Sequence, residues 1–197
     1  DIKSKRIGVV MIIEDITKEK RWKSNLTRYM TKDLVDKVLS ESGSISLGGG
    51  RQEVSILFSD IRSFTSMTEA SSPQDVVAML NEYFTQMVDA VFKYQGVLDK
   101  FIGDAIMALF GAPLPRQEHA LLACQTALEM RKQLVLLNAS RKERGLVRID
   151  IGIGISSGEV LCGNIGSEKR MEYTAIGDSV NLASRLEGAN KLYGTDI

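Results

Sequence analysis

Two aspartates in this chain stand where carboxylates can do chemistry. Asp60 follows the apolar run Val54-Ser55-Ile56-Leu57-Phe58, and Asp104 sits in a Gly-Asp turn after Val97 to Phe101. A side chain at the end of a buried strand leaves the core and reaches solvent. Two carboxylates brought to one edge of a sheet suit Mg²⁺ or Mn²⁺, hard ions that prefer oxygen ligands. A pair of such ions, ~3.5–4 Å apart, can clamp an in-line phosphoryl displacement. Either aspartate alone would read as a turn residue or a helix cap. The segment behind Asp60, Ile61-Arg62-Ser63-Phe64-Thr65, is a strand end feeding a short helix. Its N–H groups are free to meet triphosphate oxygens, although any ordinary helix start offers the same.

Composition removes several competing chemistries. Lys and Arg number 25, as do Asp and Glu, so no overall field draws the chain to nucleic acid or to a membrane surface. An anionic substrate must be held by local charges and backbone donors. Cys124, Cys162 and His119 are the only residues of their types, without CxxC spacing. That excludes a Cys/His zinc site and argues against a Ser-His-Asp or Cys-His triad. Two cysteines suit a reducing cytoplasm. No apolar run reaches the ~20 residues that span a bilayer, so this segment is expected to make no direct membrane contact. The opening Asp1-Ile2-Lys3 lacks an initiator methionine and a signal pattern. The chain is therefore expected to be part of a longer protein, in which an upstream membrane anchor remains possible.

The elements that must position the aspartates follow from periodicity. With 197 residues, 44% of them hydrophobic, the chain has room for one globular domain and a flanking segment. Val54–Phe58 reads as a strand. Pro73 opens a long helix with Val76, Leu80, Phe84, Met87 and Val91 as its apolar stripe. Val97–Phe101 and Ala105–Phe110 form a hairpin around Gly103-Asp104. A second long helix runs from about Gln117 to Arg144, with Leu122, Met130, Leu134 and Leu137 inward. Ile149–Ile155 and Val160–Ile165 read as two more strands, and a last helix runs from Ser179 to about Leu192. The order β-α-α-β-β-α-β-β-α predicts an α+β fold: a ferredoxin-like (split βαβ, palm-like) antiparallel sheet with packed helices. In such a sheet the first strand is expected beside the second and third, which would bring Asp60 and Asp104 together.

Three stretches carry a family resemblance. Phe58-Ser59-Asp60-Ile61-Arg62-Ser63-Phe64-Thr65, Asp99-Lys100-Phe101-Ile102-Gly103-Asp104-Ala105 and Tyr173-Thr174-Ala175-Ile176-Gly177-Asp178-Ser179-Val180-Asn181-Leu182-Ala183-Ser184-Arg185 occur in this order. Together they resemble the hallmark segments of class III adenylate and guanylate cyclases. The resemblance implies that Asp60, Asp104 and the Ile61 carbonyl hold two Mg²⁺ or Mn²⁺ ions. It makes Lys100 and Thr174 the purine readers, and Asn181 and Arg185 the catalytic pair that positions the ribose and stabilises the transition state. Arg62, Ser63, Phe64 and Thr65 are the expected triphosphate contacts. It implies further a head-to-tail homodimer whose two sites each draw residues from both chains. Asn181 and Arg185, four apart on a helix, share one face as this requires.

At position 100, lysine offers donors only. Adenine N1 accepts, whereas guanine N1–H and N2–H₂ are donors that a carboxylate would match. The residue type therefore points to ATP as substrate, with 3′,5′-cyclic AMP and pyrophosphate as products. Threonine at 174, where many animal relatives have aspartate, resembles the bacterial and soluble subtype, often associated with stimulation by bicarbonate. In the family, further strands and a triphosphate-binding lysine would follow Ile197.

Upstream, Ile7–Ile13 reads as a buried strand, and Gly8 to Thr17 resembles the last strand of a PAS-type sensor domain. Residues 18–50 read as a signalling helix and linker, with Leu26, Met30, Leu34 and Val38 on one face and Ser42–Gly50 as a flexible connector. Residues 51–197 form the expected catalytic domain, C-terminally truncated. The Gly48-Gly49-Gly50 run lacks the Gly-Lys-Ser/Thr ending of a P-loop. Alternatives are a guanylate cyclase, opposed by Lys100, and a non-catalytic dimerisation or nucleotide-sensing module, opposed by the retained Asp60, Asp104, Asn181 and Arg185. A diguanylate cyclase is opposed by the absence of its GGDEF-type turn.

Overall fold

The computed structural model of the chain describes Val35, residues 48–167 and residues 170–197. The expected sensor strand and most of the signalling helix fall outside these residues. Among the described residues the elements run β1 Gly48–Ile61, α1 Phe64–Glu69, α2 Pro73–Lys93, β2 Val97–Ile102, β3 Ala105–Phe110, α3 His119–Glu143, β4 Ile151–Ser167, β5 Arg170–Ile176 and α4 Asp178–Tyr193. The strands make one sheet in the order β2-β3-β1-β4-β5, with every neighbouring pair antiparallel.

Strand alternation explains the layering. Leu57 and Ile61 of β1, Ile106, Ala108 and Phe110 of β3, and Ile151 and Ile153 of β4 join one core with Met79, Tyr83 and Met87 of α2 and Met130 and Leu134 of α3. The intervening residues Val54, Ile56, Met107, Leu109, Val160 and Cys162 face the other way, into a smaller core with Ala175 of β5 and Ala183 of α4. A period of two sends neighbours to opposite faces, so the sheet is covered by α2 and α3 on one side and by α4 on the other.

Four expectations need correction. The first strand lies beside the third and fourth, not the second, because β3 folds back between β1 and β2. Gly48–Gly50 is not linker: it opens β1 and pairs with Cys162–Asn164. A Cβ on Gly49 would stand 2.6 Å from the Cys162 carbonyl, so glycine serves close strand approach there rather than flexibility. Ile149–Ile155 and Val160–Ile165 are not two strands; Ser156-Ser157-Gly158, which looks like a turn, stays extended because it pairs with Ile56, Ser55 and Val54. The true fifth strand is Arg170–Ile176, paired with Leu161–Ser167. On α2 the buried stripe is Met79, Tyr83, Met87 and Val91, with Val76, Leu80 and Phe84 only half-buried at its margin.

Candidate active site

The β1–β3 register carries Ser55 opposite Phe110 and Ser59 opposite Ile106. One step further, Asp60 faces the Gly103-Asp104 turn of the β2–β3 hairpin, where Gly103 holds φ 64°. The expected convergence of the two aspartates is therefore met, through β3. Their carboxylates lie close enough that one, when protonated, can hydrogen-bond the other. Burial comes first, and the bond and charge of Asp60 add to it, in pushing the Asp104 carboxyl up to about 6; the backbone N–H groups of Asp104 and Ile61 pull the other way. Beneath them the Tyr83 hydroxyl bonds Ser59 Oγ at 3.0 Å. Burial, and then the charges of Asp60 and Asp104, push that phenol up as well.

Two carboxylates pressed together without a cationic side chain between them repel, and a divalent ion relieves that repulsion. The donor set is all oxygen: two carboxylates, with Ile61 at the same corner. It fits Mg²⁺ or Mn²⁺ and does not fit zinc.

Arg62 is tied into the fold of the chain. Its guanidinium turns inward to Glu187 of α4, with Nη1 donating to Oε1 at 2.7 Å and Nη2 to the Glu187 carbonyl at 3.2 Å. Its backbone N–H donates to the Asp150 carbonyl at 2.8 Å. Two of the five guanidinium N–H donors and the backbone N–H are thus engaged within the chain. Helix α4 can come this close because the β4 positions facing it are glycines; a Cβ on Gly154 would lie 2.2 Å from the Ala183 carbonyl and 2.3 Å from the Glu187 nitrogen. The remaining phosphate candidates divide by burial. Ser63 is exposed at φ 56°, Phe64 packs against the larger core, and Thr65 is exposed in the first turn of α1. The first-turn N–H groups of a helix have no acceptor within it, so backbone donors remain at Phe64 and Thr65.

Lys100 and Thr174 lie on β2 and β5, the two outermost strands. Four strand spacings would separate them by roughly 19 Å in a flat sheet. Instead the edges meet. Lys100 Nζ donates to Glu172 Oε2 at 2.9 Å, and Thr174 Oγ1 donates to Asp99 Oδ2 at 2.6 Å. The sheet curls, and its curl assembles this cluster within one chain. Asp99 and Glu172 were missed in the sequence; the signal for Asp99 was a charged Asp-Lys pair inside the apolar run Val97–Ile102. Tyr83 and Glu187 were missed too, since each reads as one more position of a helical pattern.

Asn181 and Arg185 occupy the exposed face of α4, opposite the buried Ala183, Glu187 and Asn190. The ion pair of Arg185, with Asp178 of its own helix, is long at 3.9 Å and solvent-exposed.

Known proteins share this fold and much of this sequence. Residues 49–192 match the family described as "Adenylate and Guanylate cyclase catalytic domain". Adenylate cyclase 1 of Rhizobium meliloti is 40% identical over 86% of this chain and 25% of its own length. The adenylate cyclase of Anabaena cylindrica is 42% identical over 74% of this chain and 29% of its own. The chain thus spans about a quarter of the length of these curated relatives. Among solved structures, the adenylyl cyclase CyaB from P. aeruginosa superposes with a TM-score of 0.70 at 38% identity, covering 73% of this chain and 74% of that one. The guanylyl cyclase Cya2 gives 0.69 at 45%, covering 72% of each. A bacterial light-regulated adenylyl cyclase gives 0.77 at 30%, covering 90% of this chain and 51% of that one. The chain belongs to the adenylate and guanylate cyclase catalytic domain family, whose members are metal-dependent nucleotide cyclases.

Proposed function

We propose that the chain is an adenylate cyclase domain: the 3′-hydroxyl oxygen of ATP attacks the α-phosphorus, the bond to the β-phosphate oxygen breaks, and cyclic AMP and pyrophosphate leave. The observation that carries this reading is the closeness of Asp60 and Asp104 at the strand corner, where burial and then the neighbouring Asp60 push the Asp104 carboxyl up. Asp60, Asp104 and the Ile61 carbonyl would hold two Mg²⁺ or Mn²⁺ ions, which would supply charge neutralisation at the phosphates and acidify the attacking hydroxyl. Lys100 donates to adenine N1, and Thr174 faces the exocyclic amine. Asn181 and Arg185 extend from the exposed face of α4 toward a second copy, where Asn181 orients the ribose and Arg185 meets charge developing on the α-phosphate. This division supports a head-to-tail homodimer with two equivalent sites.

The resemblance of residues 1–50 to a sensor end and signalling helix, and the likeness to a light-regulated adenylyl cyclase over 90% of the chain, support control from an upstream domain. A sensor-driven rotation of paired helices would alter how the two half-sites face each other. A cytoplasmic setting suits ATP and two free cysteines; no helix among the described residues is long and apolar enough to cross a membrane.

The likeness to Cya2 gives a second reading, a guanylate cyclase; Lys100, with donors only, opposes it. Incubation with ATP or GTP and Mn²⁺ separates the two. Cyclic AMP from ATP, reduced at least ~10³-fold in Asp104→Ala, supports the proposal. Cyclic GMP from GTP alone would select the second reading; no product from either nucleotide would point to a non-catalytic module or to the strands and lysine expected after Ile197, which a longer chain carrying them would separate.

A further inference from the structure

We propose that Asp99 is a positioning residue that pins the hydroxyl proton of Thr174 and so makes the purine pocket choose adenine over guanine. The inference rests on the adenylate cyclase reading above. Asp99 is the extra residue of a bulge: β2 pairs Leu98 with Ala108 and then Lys100 with Met107, leaving Asp99 without a partner in β3. Bulges of this kind re-aim side chains beside functional sites. Here the bulge turns a carboxylate inward, to 0% exposure.

The burial is incompletely compensated. Oδ2 accepts from Thr174 Oγ1 at 2.6 Å, while Oδ1 makes no hydrogen bond and has Lys100 Nζ at 3.5 Å. The Ala175 N–H also reaches the carboxylate. Around it lie Cys162 and Tyr173; burial first, and then neighbouring charge including Asp99, pushes their pKa values up to about 11 and about 12. An apolar residue would serve packing better here, since a buried charge with few partners is costly. What the carboxylate adds is direction. An ionised carboxylate only accepts, so the single proton of Thr174 must point at it.

Thr174 Oγ1 is then left with lone pairs alone. Lone pairs match the N6 amine of adenine, a donor, and oppose the O6 of guanine, an acceptor. Without Asp99 the hydroxyl would rotate and could donate to either purine's acceptors. Lys100 leaves guanine N1–H and N2–H₂ without an acceptor, but guanine O6 could still accept from it as adenine N1 does, so the polarity of Thr174 sharpens the distinction. Glu172, bonded to Lys100 at 2.9 Å, holds the ammonium in place while Asp99 sets the polarity of its neighbour.

The test compares kcat/KM for ATP and GTP, and the Kd of each nucleotide by calorimetry, in the wild-type chain and in Asp99→Ala, Asp99→Asn and Thr174→Val. Asp99→Ala should lower the ATP-to-GTP ratio about tenfold or more, mainly through KM. Asp99→Asn, which keeps an acceptor for the Thr174 proton, should stay within about threefold of wild type. Thr174→Val should cost the same preference, and adding Asp99→Ala to it should change the ratio no further. A ratio unchanged in Asp99→Ala, with both nucleotides weakened equally, would overturn the inference and leave the adenylate cyclase reading standing. If Asp99→Ala fails to fold, Asp99→Asn and Thr174→Val decide: an unchanged ratio in Thr174→Val, or one lost in Asp99→Asn, overturns it. A wild-type chain that prefers GTP overturns the parent reading, and this inference with it.

Discussion

Asp60 and Asp104 press against each other at one corner of the sheet, whereas Asn181 and Arg185 stand in solvent along α4, with a single long ion pair to Asp178. The first region is built by the fold of one chain: strand register sets its separation, and Ile61 and Asp104 N–H groups hold it. The second is a row of polar side chains whose positions the fold fixes but whose partners it does not supply. Helix α4 connects them, since its buried face carries Glu187, which anchors Arg62 two residues beyond Asp60. On the proposed reading, the carboxylate corner and the exposed face of the helix would be complementary halves of one site. The physics of each half predicts a different response to mutation.

The largest stability effect should come from the link between them. The Arg62–Glu187 side chains are only 17% and 11% exposed, so Glu187→Ala leaves a guanidinium half-buried and unpaired. Urea denaturation should show a loss of about 3 kcal/mol. A loss below about 1 kcal/mol would mean that α4 is held by the glycine contacts alone.

A smaller effect of opposite sign is expected at the corner. The folded-state pKa of Asp104 is raised to about 6, so between its unfolded value and 6 the folded protein binds more protons than the unfolded chain. Stability of the metal-free protein is thus greatest below that window and declines as pH rises through it. Asp104→Asn removes the repulsion and should stabilise the metal-free protein at pH 7 by about 1 kcal/mol, allowing for solvent screening of a partly exposed group. The gain should vanish near pH 4 in pH-dependent melting. A destabilised Asp104→Asn would mean that the carboxylate is compensated within the chain.

On the exposed face of α4 the expected change is smallest. Asn181→Ala and Arg185→Ala should each alter stability by less than about 0.5 kcal/mol while removing most turnover. Larger melting shifts would assign these residues a structural role and blur the contrast with the corner.

The sequence made most of this legible where a residue's chemistry contradicts its surroundings. Aspartates at the ends of apolar runs, and an Asn-Arg pair at helical spacing, announce themselves. The layered antiparallel sheet was equally readable, because the nearly continuous apolar runs in β1 and β3 report two buried faces. What failed were features set by a distant partner. Gly48–Gly50 and Ser156–Gly158 look like loops, yet each is extended by pairing across β1 and β4. Nothing in the sequence around Arg62 announces its ion pair with Glu187, 125 residues away. Asp99 and Thr174 come together only because the sheet curls its edges inward. Local chemistry cannot encode such meetings.

The central claim is that each reaction site is shared between two chains, and mixing two inactive variants tests it most directly. On the proposed roles, Asp104→Ala would lack a metal ligand and Arg185→Ala the transition-state cation, so each alone should form almost no cyclic AMP. Mixed in equal amounts, about half of the dimers would be heterodimers, each with one complete site of its two, giving about a quarter of wild-type turnover. A mixture no more active than its components would contradict the shared site and place the whole reaction within a single chain.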